Sequence, residues 1–348
     1  MSPPDAFVFA DGVRVAGTDI YCDARRCPPS ATAFVSHARA PRLYGGAEVR
    51  LITTERTRAL RASAAKGRSG EGVTPRGQPH ATLVTPFGRP FALGRLRLEL
   101  LPSGHVPGAA QLYVESDGRR VAVCGPLNPS PGRFAEAPQV RAAEALCIDA
   151  PLAASGKRLP PRAEVEAALV AAVERALDGG ATPVVLAPAL GAAEEVVALL
   201  GGAGHVLRVH TRIAAWLAAY ARIGLGVASP TVKRFRGTPA RGEVVVWPIE
   251  ERHAAAIGRL RGAHLLAVAG LALDAEWVAR LRVDAAFALA DHGDLPSLVA
   301  HARAAEARHV WLTSGMSEVA ARAFAQAGMT AHALSAHRPM QQMALFAE

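Results

Sequence analysis

Residues 33–42 read AFVSHARAPR, an apolar run followed by a loop that carries one histidine and two arginines. The run belongs to residues 32–36, where β-branched and apolar residues between turn residues are typical of a strand. Similar short runs occupy residues 95–101, 111–115 and 119–124. The first 150 residues are therefore predicted to be rich in β-structure, apart from one helix over residues 54–65.

The sequence changes character after Ala150. Pro160 and Pro161 open a predicted helix that ends at Gly179, with apolar residues four positions apart. Short strands and helices then alternate to the end of the chain, with strands predicted at residues 184–186, 206–209, 285–289 and 309–313. Strands that alternate with helices predict a parallel sheet.

Composition narrows the function classes. Half of the 348 residues are apolar, but the longest apolar run is too short to cross a bilayer, so we expect no membrane span. The four cysteines have no spacing typical of disulfides or a zinc knuckle, and the N-terminus lacks a signal-peptide pattern, so we expect a cytoplasmic protein. The net charge of +9 suits nucleic acid as a partner, although a general enrichment in arginine is an alternative explanation.

Several segments, in order along the chain, resemble the β-CASP branch of the metallo-β-lactamase superfamily. Residues 33–42 lie where that family has a strand ending in a His-x-His-x-Asp-His loop. The other segments that carry the resemblance are SGHVPGAAQ (103–111), VCGPLN (123–128), ALGAAEE (189–195) and VDAAFALADHGD (283–294). The chain is most similar to bacterial DNA exonucleases encoded near DNA ligases and to exonucleases that process mRNA 3′ ends.

The resemblance implies an α/β fold, namely a metallo-β-lactamase αββα sandwich with an inserted α/β β-CASP domain. The predicted boundaries are 1–156 for the N-terminal part of the metallo-β-lactamase domain, 157–270 for the β-CASP insertion, 271–338 for the C-terminal part of the first domain, and 339–348 for a tail. The change in sequence pattern after Ala150 lies where the insertion begins in that family.

Most positions that match the family's metal ligands are changed. Nucleases of this type use a hydroxide held by two metal ions, whose ligands are histidine nitrogens and carboxylate oxygens. His37 and His105 match two of these ligands, and Asp149 and His292 match an acidic residue and a histidine of the β-CASP motifs. The changed positions hold Arg39, Pro41, Arg42, Pro126 and Ser314. Arginine stays protonated and proline has no donor atom on its side chain, so neither replaces a ligand.

The resemblance therefore implies a degenerate site. We expect no cofactor, or at most one weakly bound zinc or manganese ion on His37 and His105, because Arg39 and Arg42 repel a dication. Packing alone is an alternative reason for the remaining histidines and Asp149. If Arg39 and Arg42 point inward they would hold a nucleic-acid phosphate, and the alternative is that both point to solvent.

These observations favour a non-catalytic nucleic-acid-binding or scaffolding homologue of a β-CASP DNA or RNA exonuclease, with a role in DNA repair or RNA processing. One alternative is an active exonuclease or phosphodiesterase with a rebuilt single-metal site. Another is a structural partner of an active nuclease paralogue or of a ligase system.

The C-terminal residues resemble a second kind of motif. Residues 342–346, QMALF, are similar to the short peptide by which bacterial polymerases and repair proteins bind the sliding clamp. In such a peptide two apolar side chains enter a hydrophobic pocket and a glutamine contacts its rim. The predicted contact residues are Gln342, Met343, Leu345 and Phe346. The alternative is that Leu345 and Phe346 fold back onto the protein core.

Overall fold

Two sheets are built from the first part of the chain. The computed structural model describes residues 6–44, 48–66, 81–227 and 231–335. The strands of the first sheet, in spatial order, are β1 (Phe7–Phe9), β2 (Val13–Val15), β3 (Ile20–Cys22), β4 (Thr32–Phe34), β5 (Arg50–Thr53) and β6 (Thr82–Val84). Strands β1 to β3 pair antiparallel and β3 to β6 pair in parallel. Helix α1 (Glu55–Lys66) follows β5 and lies within one residue of the helix predicted over 54–65.

The second sheet starts with strands β7 to β11. They are β7 (Phe91–Leu93), β8 (Leu96–Pro102), β9 (Ala110–Ser116), β10 (Arg119–Pro126) and β11 (Ala145–Asp149). Strands β7 to β10 pair antiparallel, and β11 adds in parallel to β10. Phe34 of the first sheet and Leu100 and Cys147 of the second belong to one buried apolar core, so the two sheets pack against each other.

A third sheet follows, and all its strands are parallel. Its elements in chain order are α2 (Arg162–Asp178), β12 (Thr182–Ala187), α3 (Ala192–Gly202), β13 (Val206–Val209), α4 (Thr211–Arg222), β14 (Val232–Arg234), β15 (Glu243–Pro248), α5 (Ala255–Gly258), β16 (Ala263–Val268), α6 (Ala275–Leu281) and β17 (Ala285–Phe287). The spatial order is β14-β13-β15-β12-β16-β17. The central strand β12 has apolar side chains in a separate core on each face, as expected of a parallel strand between layers. The predicted parallel α/β sheet is confirmed.

The chain then returns to the second sheet. After α7 (Leu295–Ala304), strand β18 (His309–Ser314) pairs in parallel with β11, and after α8 (Glu318–Gln326) strand β19 (Thr330–Ala333) pairs with β18. The Asp294 side chain accepts a hydrogen bond from the Ser297 amide at 2.9 Å and so caps α7. Leu298 and Phe324 pack α7 and α8 onto the second sheet. The segment of chain that forms the whole third sheet therefore lies, in sequence, between β11 and β18, which are neighbouring strands of the second sheet.

The third sheet extends beyond the predicted end of the insertion at residue 270. Strand β17 pairs with β16 and completes the parallel sheet, although the sequence placed it in the part that starts at residue 271. The domain boundaries themselves stay a prediction. Every helix among the described residues is too short or too polar to cross a lipid bilayer.

Candidate functional site

Three histidines that are distant in sequence meet beyond the ends of three strands. His37 follows β4, His105 follows β8 and His292 follows β17. The ring centroids of His37 and His105 are 5.1 Å apart, and those of His105 and His292 are 4.6 Å apart. His37 and His105 are both buried. The fold therefore brings together the three histidines that the sequence singled out.

His105 is held as a neutral imidazole with its Nε2 lone pair available. Its Nδ1 lies 2.7 Å from the backbone carbonyl oxygen of Asp291. A carbonyl oxygen only accepts hydrogen bonds, so Nδ1 carries the proton and Nε2 is the acceptor. Burial lowers the pKa of His105 well below its ordinary value; Asp291 opposes this shift and the positive charge of Arg39 adds to it.

Arg39 points inward and binds to His105. Its Nη2 donates to Nε2 of His105 at 2.9 Å and to Oδ2 of Asp291 at 2.7 Å, while Nη1 donates to the Leu190 carbonyl oxygen at 3.1 Å. Of the two orientations that the sequence left open for Arg39, the structure has the inward one. The guanidinium joins the loop after β4 to the segments that follow β8, β12 and β17.

Asp291 is the partner that the sequence analysis missed. Its Oδ1 accepts from Nδ1 of the adjacent His292 at 2.6 Å, and its Oδ2 accepts from Arg39. Burial alone would raise the pKa of Asp291, but Arg39, His105 and His292 lower it well below its ordinary value. Asp291 is therefore ionised and neutralises the guanidinium. Its position next to His292 is the signal by which the sequence could have revealed it.

His37 has a separate support that the sequence also missed. Asp23 accepts from the Ser36 amide at 2.8 Å and from the Ser36 hydroxyl, so that hydroxyl accepts in turn from Nδ1–H of His37 at 2.8 Å. Burial lowers the pKa of His37 well below its ordinary value, with His105 and Arg39 adding to the shift. Burial raises the pKa of Asp23 to about 6. The hydrogen bonds from His37 to Ser36 and from Ser36 to Asp23 fix the His37 ring, and its Nε2 has no hydrogen-bond partner within the described part of the chain.

Asp149 lies at the end of β11 and contacts the neighbouring strand. It accepts hydrogen bonds from the hydroxyls of Ser314 and, at 3.3 Å, Thr313. In the sheet Asp149 is in register with Ser314 on one side and Pro126 on the other. Ser314 and Pro126, two of the changed positions that the resemblance indicated, therefore flank Asp149. Ser314 donates its hydroxyl to the carboxylate, and the Pro126 side chain has no ligand atom.

Arg42 does not join Arg39. Its guanidinium carbon lies 5.4 Å from the centroid of the Tyr44 ring, a cation–π distance. Its Nε and Nη2 are buried and have no hydrogen-bond partner among the described residues. The predicted clamp contacts lie outside the described residues: Gln342, Met343, Leu345 and Phe346.

The residues of the site do not fit a metal ion while Arg39 is in place. Among the described residues, His105, Asp291 and His292 form a cluster with one possible metal-ligand atom from each residue within 4.8 Å of the others. Zinc would need lone pairs of nitrogen and oxygen at about 2.0–2.2 Å. The lone pairs of His105 Nε2 and Asp291 Oδ2 are already used by Nη2 of Arg39. A guanidinium and a dication cannot share these atoms, because they would overlap and repel each other.

One small cavity adjoins the histidines, and a larger cleft lies beside it. The cavity, of about 20 Å³, is lined by His105, Asp291, Arg162 and Tyr220, and has room for one water molecule. The cleft, of about 470 Å³, shares Arg162 with it and is also lined by Arg158. Arg158 is exposed. The lining of this cleft includes Gly293, the residue next to His292.

Comparison with known proteins finds a relative in sequence and neighbours in fold. The chain is 25% identical over 307 residues to a probable DNA ligase from Opitutus terrae; the alignment covers 88% of this chain but only 29% of that protein. A protein of unknown function from Enterococcus faecalis V583 is similar in structure, with a TM-score of 0.53 and 10% sequence identity over 81% of this chain and 74% of that one. At this identity the likeness concerns the fold alone. No family model matches the chain.

Proposed function

We propose that this chain is a non-catalytic, nucleic-acid-binding or scaffolding homologue of the metallo-β-lactamase/β-CASP exonucleases, with a role in DNA repair or RNA processing. The observation that carries the proposal is the Arg39 guanidinium bound to His105 and Asp291. A nuclease of this type needs a metal-bound hydroxide, and here a side-chain cation takes the ligand atoms that a metal would use.

The similarity to a probable DNA ligase supports a role close to DNA ligation. The aligned part is a minor share of that protein. We therefore propose a ligase system as the partner, with this chain holding nucleic acid rather than cutting it. The net charge of +9 suits contact with a phosphate backbone.

The open cleft beside the site is the proposed contact surface for nucleic acid. Arg158 lines it, is exposed, and has no ion pair among the described residues. Arg162 lies deeper and is paired with Glu166 and Glu195, so it shapes the cleft rather than offering a free charge. A single strand could place a phosphate at Arg158 with only modest electrostatic gain, so weak, salt-dependent binding is expected.

The test is a fluorescence titration with short single-stranded DNA, single-stranded RNA and nicked duplex DNA over a range of salt. We expect binding without degradation of the oligonucleotide, and a salt slope that falls by about 1 in Arg158→Ala, as loss of one phosphate contact predicts. Arg322→Ala is the matched control, because Arg322 is an exposed arginine that is paired with Glu318 on α8. Metal-dependent shortening of the oligonucleotide would refute the non-catalytic role, and an equal slope in both variants would refute the cleft as the contact surface.

An active hydrolase with a rebuilt single-metal site is the second candidate. The cluster of His105, Asp291 and His292 favours it, since these residues could supply two imidazoles and a carboxylate. That candidate requires Arg39 to leave its position in the folded protein. It predicts hydrolysis that depends on zinc or manganese and is lost in His105→Ala.

A further inference from the structure

The outer edge of the third sheet carries a run of positive charges. Strand β14 is the last strand on that side of the sheet and pairs, among the described residues, with β13. In and after β14 the chain reads KRFR (233–236), and a further arginine lies shortly before β15. We call this surface the basic edge, and its four exposed cations are Lys233, Arg234, Arg236 and Arg241.

The charges of the basic edge are not balanced by carboxylates of the same segment. Residues 196–242 contain seven arginine and lysine residues but no aspartate or glutamate. The first carboxylate after them, Glu243, binds the Arg208 guanidinium with both oxygens, at 2.7 and 2.8 Å. None of the four cations of the basic edge forms an ion pair with any residue that the structure describes. They are therefore available to an anionic ligand.

The fold brings the two ends of this basic segment to the same ion pair. Lys233 lies beside Arg208 in the parallel pairing of β13 and β14. Glu243, the partner of Arg208, also accepts from the amide of Ala240 at 2.8 Å, next to Arg241. Arg208 lowers the pKa of Glu243 most, and the Ala240 amide and Lys233 add to the shift. Glu243 is therefore ionised, but Arg208 already neutralises it.

The spacing of the cations suits a phosphate backbone. Lys233 and Arg236 are three positions apart, so at most ~11 Å of extended chain separates them. Phosphates follow one another along each strand of a duplex at ~3.4 Å of helix axis. Successive side chains of a strand point to opposite faces, so Lys233 and Arg234 lie on the two sides of the edge. The basic edge can therefore contact about three phosphates of one strand within this length.

The basic edge offers charge without an exposed aromatic ring. Phe235 is the aromatic residue of segment 223–242, and it packs edge-on against Trp247 with ring centroids 5.1 Å apart. Proteins that hold single strands without sequence preference stack the bases on aromatic side chains. Cations without such a platform suit the backbone of a duplex, whose bases already stack on each other.

Protection of the sheet edge explains only part of this charge. Charged residues on an edge strand prevent it from pairing with a strand of another chain. Lys233 and Arg234 lie in β14 and could have that role. Arg236 and Arg241 lie outside the strand, where no edge needs protection. The cluster as a whole therefore points to a ligand.

We infer that the basic edge binds the phosphate backbone of duplex DNA by charge alone, without reading its sequence. The inference rests on the proposed function, in which the chain binds nucleic acid close to a ligase system. It adds a second contact surface, because β14 and β17 are opposite edges of the third sheet and the histidine site follows β17. Single strands belong to the cleft at Arg158, and the duplex belongs to the basic edge.

The experiment is a fluorescence-anisotropy titration of the full chain with a labelled short duplex DNA, between about 50 and 200 mM salt. Arg234→Ala/Arg236→Ala is expected to lower the salt slope by about 2, since each lost phosphate contact lowers it by about 0.9. The matched control is Arg259→Ala/Arg261→Ala, which also removes two exposed arginines one residue apart. These lie between α5 and β16, which three strands separate from β14, and the control is expected to keep the wild-type slope.

Two further variants show that charge is the cause. Arg234→Lys/Arg236→Lys keeps both charges and is expected to keep the wild-type salt slope, because a phosphate contact needs a cation rather than a guanidinium. Lys233→Ala/Arg241→Ala removes the other two cations and is expected to lower the slope by about 2 as well. It also replaces the first variant if that one fails to fold, which circular dichroism shows.

The remaining outcomes overturn the inference. If the wild-type chain binds duplex DNA but Arg234→Ala/Arg236→Ala has the same salt slope as the control, the basic edge is not the contact surface, while the proposed function stands. A lowered slope in the lysine variant would show that charge is not the cause. A larger loss of single-stranded than of duplex binding would overturn the choice of duplex. If the wild-type chain binds no nucleic acid, the inference and the proposed function fail together.

Discussion

The ion pair between Arg39 and Asp291 is expected to stabilise the folded chain measurably. The perturbation is a double-mutant cycle with Arg39→Met, Asp291→Ala and the two together. Nη2 and Oδ2 are 2.7 Å apart, and the two side chains are only 29% and 21% exposed. At that distance and an effective dielectric of ~20 the attraction is ~6 kcal/mol, but desolvation of both charges offsets most of it. The net value expected for a partly buried, charge-assisted hydrogen bond is about 2 kcal/mol.

Urea unfolding gives the coupling free energy, and the chain contains its own control. Arg322 and Glu318 form an exposed i,i+4 pair with side chains 72% and 90% exposed. The same cycle on that pair is expected to give about 0.3–0.5 kcal/mol. A coupling for Arg39 and Asp291 no larger than that of the control pair would refute the account of Arg39 as the bound cation of the site.

The pH dependence of this coupling has a definite sign. The pKa of Asp291 in the folded chain lies well below its ordinary value of 3.8. A carboxylate with a lowered folded pKa contributes stability that is present above its unfolded pKa and is lost as pH falls through its folded pKa. The coupling is therefore expected to stay constant between about pH 5 and 8 and to decrease only in more acidic solution.

Three further predictions follow from other parts of the chain. Gly315 and Gly118 have similar positive φ angles of +73° and +76°, but a Cβ at Gly315 would lie 1.7 Å from a backbone carbonyl oxygen, whereas one at Gly118 meets nothing within 4 Å. Urea unfolding is therefore expected to show Gly315→Ala about 2–3 kcal/mol less stable than Gly118→Ala, and equal losses would contradict the packing described here. Burial lowers the pKa of His301 to about 4. In the unfolded chain His301 takes up its proton near pH 6.5. Lowering the pH from 7 to 4 is therefore expected to reduce the free energy of unfolding of the wild-type chain by about 3 kcal/mol more than that of His301→Leu. If the free energy of unfolding depends on pH equally in both proteins, His301 is not the titrating group. In a titration with the sliding clamp of the same organism, the full-length chain is expected to bind with a dissociation constant of tens of micromolar, a binding free energy of roughly 6 kcal/mol. The variant Leu345→Ala/Phe346→Ala is expected to lose that binding. Equal binding by parent and variant would make the clamp hypothesis wrong.

The element types could be read from the sequence because they depend on local patterns. The helix that starts after Pro161 has buried residues at the predicted four-residue spacing, such as Val165, Leu169 and Val173. The change after Ala150 from β-rich to alternating sequence corresponds to the passage from the first two sheets to the third. The sheet to which β17 belongs could not be read in the same way, because its pairing with β16 is a contact between strands that a local sequence pattern does not contain.

The candidate site was predictable only in part. His37, His105 and His292 were found because they lie in segments that resemble known motifs, and the structure places them together. Asp291 and Asp23 were missed: Asp291 is adjacent to its partner His292, but its ion pair with Arg39 and the contact of Asp23 with Ser36 join residues that are not neighbours in sequence. The resemblance supplied the positions of the changed ligands. It could not supply the orientation of Arg39, because the direction of a long flexible side chain depends on the acceptors around it.

Metal content of the purified wild-type chain tests the central claim most directly. The chain is produced in medium supplemented with zinc and manganese, purified without chelator, and analysed for bound metal. Because the Arg39 guanidinium already uses the lone pairs of His105 and Asp291, far less than about one metal per chain is expected. About one tightly bound ion per chain, or the two that a dinuclear hydrolase holds, with loss of that metal in His105→Ala, would contradict the claim.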